Sequence, residues 1–176
     1  DAAHSLGATK NDAMSGSLAD FTSFSFHAVK NLTTAEGGAI TWLPLSGIDD
    51  EATYNELMLL ALHGQSKDAL AKTQPGMWEY DIVFPGYKCN MTDINAALGL
   101  SQLRRYGEIL EKRKRLVDRY EDQLKDTNIE TLQHSSEEYE SCRHLFLIRI
   151  PGIDESTRNE LIVQLANKGI SCNVHF

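Results

Sequence analysis

Two runs with the period of a β-strand flank a single lysine, and this arrangement constrains the chain most. Phe21-Thr22-Ser23-Phe24-Ser25-Phe26 alternates aromatic with hydroxyl side chains, the period-two signature of a strand. Gly37-Gly38-Ala39-Ile40-Thr41-Trp42-Leu43 predicts a second strand, closed by Pro44 and Gly47. Between them lies His27-Ala28-Val29-Lys30-Asn31-Leu32-Thr33-Thr34-Ala35-Glu36. A strand pair here would hold Lys30 on a rigid frame. Taken alone, Lys30 reads as a solvated loop lysine, as most lysines are.

The rest of the chain alternates helical and strand patterns. Residues 1 to about 20 are small and polar and predict a short helical turn and a loop. Glu51 to His63 carries Leu57, Leu59, Leu60, Ala61 and Leu62, the pattern of a buried helix stopped by Gly64. Residues 64–90 read as irregular, with Pro75-Gly76 and Pro85-Gly86 as turn signals. Thr92 is placed to cap a helix running to Arg105, with Asp93 suited to its positive end. Ile94, Ala97, Leu98, Leu100 and Leu103 form its apolar stripe. A second amphipathic pattern runs from Tyr106 to Leu124. Beyond it, 128–132, 144–150 and 170–176 read as strands, and 154–168 as a helix ended by Gly169.

Composition removes several classes of function. The 176 residues are 41% hydrophobic and 24% charged, proportions of a globular protein. A net charge of −8 argues against a nucleic-acid partner, because phosphate binding needs clustered Lys and Arg. The basic run Lys112-Arg113-Lys114-Arg115 lies among Glu108, Glu111, Asp118, Glu121 and Asp122, and reads as a salt-bridged helix face. No apolar run approaches the ~20 residues needed to cross a bilayer. Cys89, Cys142 and Cys172 are widely spaced without a C-x-x-C, so neither zinc nor a disulfide framework is expected, and a reducing cytoplasm is the simplest setting. The chain begins at Asp1 without Met and closes on Asn173-Val174-His175-Phe176 inside a strand pattern. Both ends read as cuts in a longer protein.

Three segments carry a resemblance: Asp1-Ala2-Ala3-His4, Ser25 to Lys30 with Glu36-Gly37-Gly38, and Gly86-Tyr87-Lys88-Cys89-Asn90-Met91-Thr92-Asp93-Ile94-Asn95-Ala96-Ala97. In this order and spacing the chain resembles the DegT/DnrJ/StrS sugar aminotransferases, which are fold-type-I pyridoxal-phosphate (PLP) enzymes. The resemblance implies an α/β PLP-dependent transferase fold, of which this chain is the second half of the large domain plus part of a small α+β domain. Residues 1–106 would belong to the PLP-binding domain, 107–126 to a connecting helix and 127–176 to the small C-terminal domain.

The resemblance also assigns roles. Lys30 would bind the cofactor aldehyde through its ε-amine and then move the substrate proton. That requires a neutral amine, with its pKa below the usual ~10.4, which partial burial and a nearby pyridinium would favour. Arginine could do neither task. Asp1 would pair with the pyridine nitrogen; without the resemblance it reads as a helix N-cap. His4 would lie near the phenolic oxygen, or else on a helix surface. Ser25 would donate to the phosphate, or else face out from a strand. His27 reads equally as a satisfied buried histidine or a substrate contact, and Glu36 equally as a turn acid or a group ordering a water or sugar hydroxyl. Lys88 and Asn90 would reach the partner subunit's phosphate, or else Lys88 is simply exposed. Many family members carry Asn and Arg at those two positions, so this pair departs from the pattern. No metal ligand set is expected. The family's phosphate-binding turn and ring-stacking aromatic would lie before Asp1.

The implied enzyme transfers an amino group from glutamate to a nucleotide-linked keto-sugar, with a mild preference for C4, in amino-sugar synthesis for surface polysaccharides or related glycoconjugates. A cytoplasmic homodimer with a shared active site is implied. The alternatives are a catalytically silent protein on the same fold, or a related sugar dehydratase. Dehydratases carry histidine in place of the lysine, and Lys30 argues against that chemistry. As it stands, the chain is expected to lack transaminase activity.

Overall fold

A computed structural model describes residues 1–44, 47–66 and 79–175. In chain order the elements are β1 (Thr9–Lys10), β2 (Ala13–Met14), β3 (Phe21–Ser25), β4 (Gly38–Trp42), α1 (Asp50–Ala61), α2 (Asp93–Leu103), α3 (Tyr106–Leu124), β5 (Glu130–Thr131), β6 (Tyr139–Glu140), β7 (Ile148–Arg149) and α4 (Glu155–Asn167). They fall into two compact units. One is Asp1–Leu6 with Ala13–Arg105, and the other is Gly7–Asp12 with the chain from Tyr106 onward.

The first unit is built on the strand pair the sequence predicts. β3 and β4 are antiparallel, in register from Phe21 opposite Trp42 to Ser25 opposite Gly38. Thr22 and Phe24 are buried, whereas Phe21 and Ser23 face out. The strands meet closely at Gly38, where a Cβ would lie 2.5 Å from the Phe24 carbonyl oxygen, so only glycine fits. With Ala2, Leu32 and Thr34, these side chains make the core of the unit.

Helix α1 is capped by Asp49, whose carboxylate accepts from the Glu51 and Ala52 N–H groups. It was expected to be buried, yet none of its residues is. Its leucines are only half covered within this unit. α2 starts at the expected cap, with Thr92 Oγ1 accepting from Asn95 N–H. Its apolar stripe is likewise not interior: Ile94 is 77% exposed, and Leu98, Leu100 and Leu103 are exposed as well. The one buried residue of α2 is Gly99. The Pro75-Gly76 turn signal lies outside the described residues.

In the second unit α3 buries Tyr106 and Val117. Its basic run forms the expected ion pairs, Lys114–Asp118 and Arg115–Glu111. Arg113 instead donates to the carbonyls of Arg143 and His144. Two antiparallel pairs complete the unit, β1 with β6 and β5 with β7. The sequence predicts a helical turn and loop over residues 1–20. The structure has β1 and β2 there, and positive φ at Asn11 (47°) and Asp12 (63°), which short polar side chains tolerate. The expected strands at 128–132 and 144–150 shrink to β5 and β7. Residues 170–175 are not in a strand, and Phe176 lies outside the described residues. α4 is capped by Asp154 and ends at Gly169 in the left-handed region (φ 79°). Among the described residues no helix is long and apolar enough to cross a membrane.

Candidate active site around Lys30

The loop from Phe26 to Gly37 carries Lys30 and is closed at its neck by the backbone. Phe26 N–H donates to Gly37 O at 2.8 Å, and Thr34 N–H donates to Phe26 O at 2.9 Å. The Thr33 hydroxyl adds a bond to Phe26 O at 3.2 Å. Lys30 N–H closes a turn onto His27 O at 2.9 Å. Lys30 is half-buried, while Leu32 beyond it is core. The lysine is thus set by a buried anchor on one side and a hydrogen-bonded neck on the other.

Helix α2 forms the base of this loop. Gly99 brings the helix so close that a Cβ would sit 2.8 Å from Thr34 Cγ2. Gln102 reaches Thr33 with both ends of its amide: Oε1 accepts from the backbone N–H at 3.1 Å, and Nε2 donates to the backbone carbonyl at 2.7 Å. Asn95 Nδ2 donates to Glu36 O at 3.2 Å. Sequence reading missed Gly99, Gln102 and Asn95 as parts of the site. A glycine inside a helix, which costs about 1 kcal/mol relative to alanine, was the signal of a close approach.

The Asp1–His4 segment lies against the same frame. Ala2 N–H donates to Ser23 O of β3 at 2.8 Å, and Ala2 itself is buried. Asp1 Oδ1 accepts from Ala3 N–H at 2.8 Å. Ala3 and His4 sit in a tight turn closed by Ser5 N–H on Ala2 O, not in the helical turn expected. Ser25, at the end of β3, accepts from His27 N–H at 3.4 Å, which leaves its O–H available to donate. Asp1, Ser25 and Lys30 therefore share one strand-based frame, although no hydrogen bond or ion pair joins Lys30 to either of the others. His27 is exposed rather than buried, and its Nδ1 meets Glu36 Oε1 at 2.8 Å across the loop.

Lys88 and Asn90 occupy a separate stretch, pinned to the end of α1. Tyr87 N–H bonds Leu60 O, His63 N–H bonds Tyr87 O, and Cys89 N–H bonds Ala61 O, at 2.7, 2.7 and 2.9 Å. Gly86 permits this packing, since a Cβ there would meet the Gly64 nitrogen at 2.5 Å. Lys88 Nζ donates to Asn90 Oδ1, and both side chains are exposed. Neither forms a hydrogen bond or ion pair with the Lys30 loop. The residues on the β3 frame have the chemistry to hold a phosphorylated aldehyde: a half-buried amine on a fixed loop, a carboxylate at Asp1 and a hydroxyl at Ser25.

The chain is similar to known proteins along its whole length. The profile of the DegT/DnrJ/EryC1/StrS aminotransferase family matches residues 1–176. The spore coat polysaccharide biosynthesis protein SpsC of Bacillus subtilis is 36% identical over the whole chain. A UDP-4-amino-4-deoxy-L-arabinose–oxoglutarate aminotransferase of Shewanella sediminis is 38% identical over the whole chain. The chain covers 44% of each of these two proteins. The putative sugar aminotransferase Spr1654 of Streptococcus pneumoniae, solved in its PMP form, superposes with a TM-score of 0.93 at 57% identity. That alignment covers 100% of this chain and 44% of that one, and the protein was also solved in a PLP form. The chain thus spans less than half the length of the relatives it matches.

Proposed function

We propose that this chain, which belongs to the DegT/DnrJ/EryC1/StrS aminotransferase family, supplies the lysine and much of the cofactor frame of a PLP-dependent sugar aminotransferase. The observation that carries this reading is the fastening of Lys30. A half-buried lysine lies on a loop closed by Phe26 and Gly37 and shares a strand frame with Asp1 and Ser25. The substrate would be a nucleotide-linked keto-sugar and the donor glutamate. The names of the polysaccharide and UDP-aminoarabinose relatives support this choice. An amino sugar for a surface polysaccharide is the corresponding product. A cytoplasmic homodimer with a shared site belongs to the same reading, as does the division into a cofactor domain, a connecting helix and a small domain.

When bound, PLP supplies an electron sink for charge developing on the substrate carbon. The residues of this chain supply the rest. Lys30 Nζ would hold the cofactor and, as a neutral amine, would serve as the base that takes up and gives back the substrate proton. Asp1 would pair with the ring nitrogen, since an opposite charge favours its protonated form. The Ser25 hydroxyl would donate to the phosphate without adding a titrating group, and His4 would lie near the phenolic oxygen. Lys88 adds positive charge for a phosphate, with Asn90 as a neutral donor beside it.

The test uses the intact protein with Lys30→Ala and Lys30→Arg. Both variants should lose the visible absorbance that PLP gains on attachment to the enzyme. Both should also lose glutamate-dependent amination across a panel of nucleotide keto-sugars. An arginine cannot rescue, because a guanidinium does not deprotonate. Wild-type turnover in Lys30→Ala would sink the reading.

A further inference from the structure

Thr33 lies three residues beyond Lys30, and its peptide is gripped by one side chain from a helix far along the sequence. Gln102 accepts the Thr33 N–H at 3.1 Å and donates to the Thr33 carbonyl at 2.7 Å. Its Nε2 also donates to Leu98 O of its own helix at 2.9 Å, which fixes the amide plane. A donor and an acceptor side by side mimic a strand neighbour for a peptide that has none. The Gln102 amide offers both side by side, whereas an ionised carboxylate lacks the donor and an ammonium lacks the acceptor. The neck bonds tie Phe26 to Gly37, Thr34 and the Thr33 hydroxyl, whereas the Gln102 bonds tie the Thr33 backbone to α2. Gly99, one turn earlier on the same helix, lets Thr34 settle against α2 beside them.

We infer that Gln102 is a positioning residue for Lys30, locking the loop peptide so that the amine presents in one direction. The inference rests on the reading of Lys30 as the cofactor lysine, and extends it to a residue that touches neither cofactor nor substrate. A loop peptide freed from this clamp lets the lysine wander, and misplacement of about 1 Å can cost on the order of 100-fold in rate.

The experiment compares wild type, Gln102→Ala and Gln102→Glu in the intact protein. Gln102→Glu keeps the length and the acceptor but loses the donor to Thr33 O. In cofactor-free protein, amide exchange at Thr33 and its loop neighbours should accelerate in both variants, while β3 and β4 exchange as in wild type. Borohydride trapping of added PLP at Lys30, located by peptide mapping, should slow by about 10- to 100-fold. In turnover, kcat per folded, PLP-loaded site should fall with the KM for the amino donor unchanged; counting loaded sites removes the loss of active enzyme that general destabilisation produces. If Gln102→Ala fails to fold, Gln102→Glu alone decides. Wild-type trapping rates and loop protection in the folded variants would overturn the role of Gln102. Absence of trapping at Lys30 in the wild type would instead remove the cofactor reading beneath it.

Discussion

Replacing Gly99 by alanine should destabilise the protein, against the intrinsic preference of the helix. In a helix interior, alanine is favoured over glycine by about 0.8–1.0 kcal/mol. The new Cβ, however, would stand 2.8 Å from Thr34 Cγ2 and 4.0 Å from Leu32 Cδ2. Carbon atoms rest at roughly 3.5–4.0 Å, so Thr34 would have to retreat by about 0.7 Å. It has little freedom to do so. Thr34 is 2% exposed, its hydroxyl bonds Glu36 O at 2.8 Å, and its N–H bonds Phe26 O at 2.9 Å. A β-branched side chain also has few alternative χ1 states. Overpacking of this kind costs about 1–3 kcal/mol. After the helical gain is subtracted, the net loss is about 0–2 kcal/mol.

A second substitution separates the clash from other effects. Thr34→Ser removes Cγ2 and keeps the hydroxyl, at a cost of about 1 kcal/mol for the lost methyl. In the Gly99→Ala background that methyl is the clashing atom, so its removal should restore stability. The coupling between the two sites should favour the double variant by about 1–3 kcal/mol. Urea unfolding of the four proteins, with the m-value held constant, measures this directly. If Gly99→Ala stabilises by the full helical preference, or if the two effects simply add, the close-packing argument is wrong.

Three further outcomes follow from the geometry. Ala35 has φ 66°, a region that disfavours a Cβ by about 1–2 kcal/mol. Ala35→Gly should therefore stabilise by about 0.5–1 kcal/mol after the greater freedom of the unfolded glycine is counted, as read by thermal or urea unfolding. Burial, and secondarily the charge of Arg143, lowers the pKa of His134, while Glu121 and Glu140 oppose the shift. A lowered folded-state pKa means the unfolded chain takes up the proton first. Stability from this group is full above about pH 6.5 and declines as pH falls toward the folded-state value. His134→Gln should flatten that part of the stability–pH curve. Among the cysteines, burial raises the Cys142 thiol pKa, whereas Cys89 and Cys172 are exposed. Iodoacetamide should modify Cys89 and Cys172 promptly in the native protein and Cys142 only after unfolding.

The parts of the fold legible in the sequence are those set by local chemistry. The β3–β4 pair follows from its period and from Gly38, where the Phe24 carbonyl excludes any side chain. Thr92 and Gly169 bound their helices through caps that involve only near neighbours. What escaped were elements created by distant partners. β1 exists because Thr9 pairs with Glu140 and Lys10 with Tyr139, and two residues carry no period of their own. The stripe on α2 was legible as apolar but not as exposed, because periodicity shows which residues share a face and not what covers that face. Gln102 escaped for a related reason: its partner is Thr33, and nothing local distinguishes a clamping amide from a solvated one.

This difference bears on where the site is vulnerable. Among the described residues the sheet under Lys30 has two strands, and its register ends at Ser25 and Gly38, where the lysine loop begins and ends. Besides the bonds to Phe26 O, the loop rests on Leu32 in the core, Thr34 against Gly99, and Thr33 in the grip of Gln102. The last two of these contacts end on α2, as does the Asn95 bond to Glu36 O. A displacement of α2 by a fraction of an ångström would therefore pass into the loop through three fastenings at once, while β3 and β4 kept their register. Under the proposed function, substitutions on the loop-facing side of α2 should alter turnover more than equally conservative ones along β4. The helix that holds the loop, more than the strands that bracket it, sets the direction of the amine.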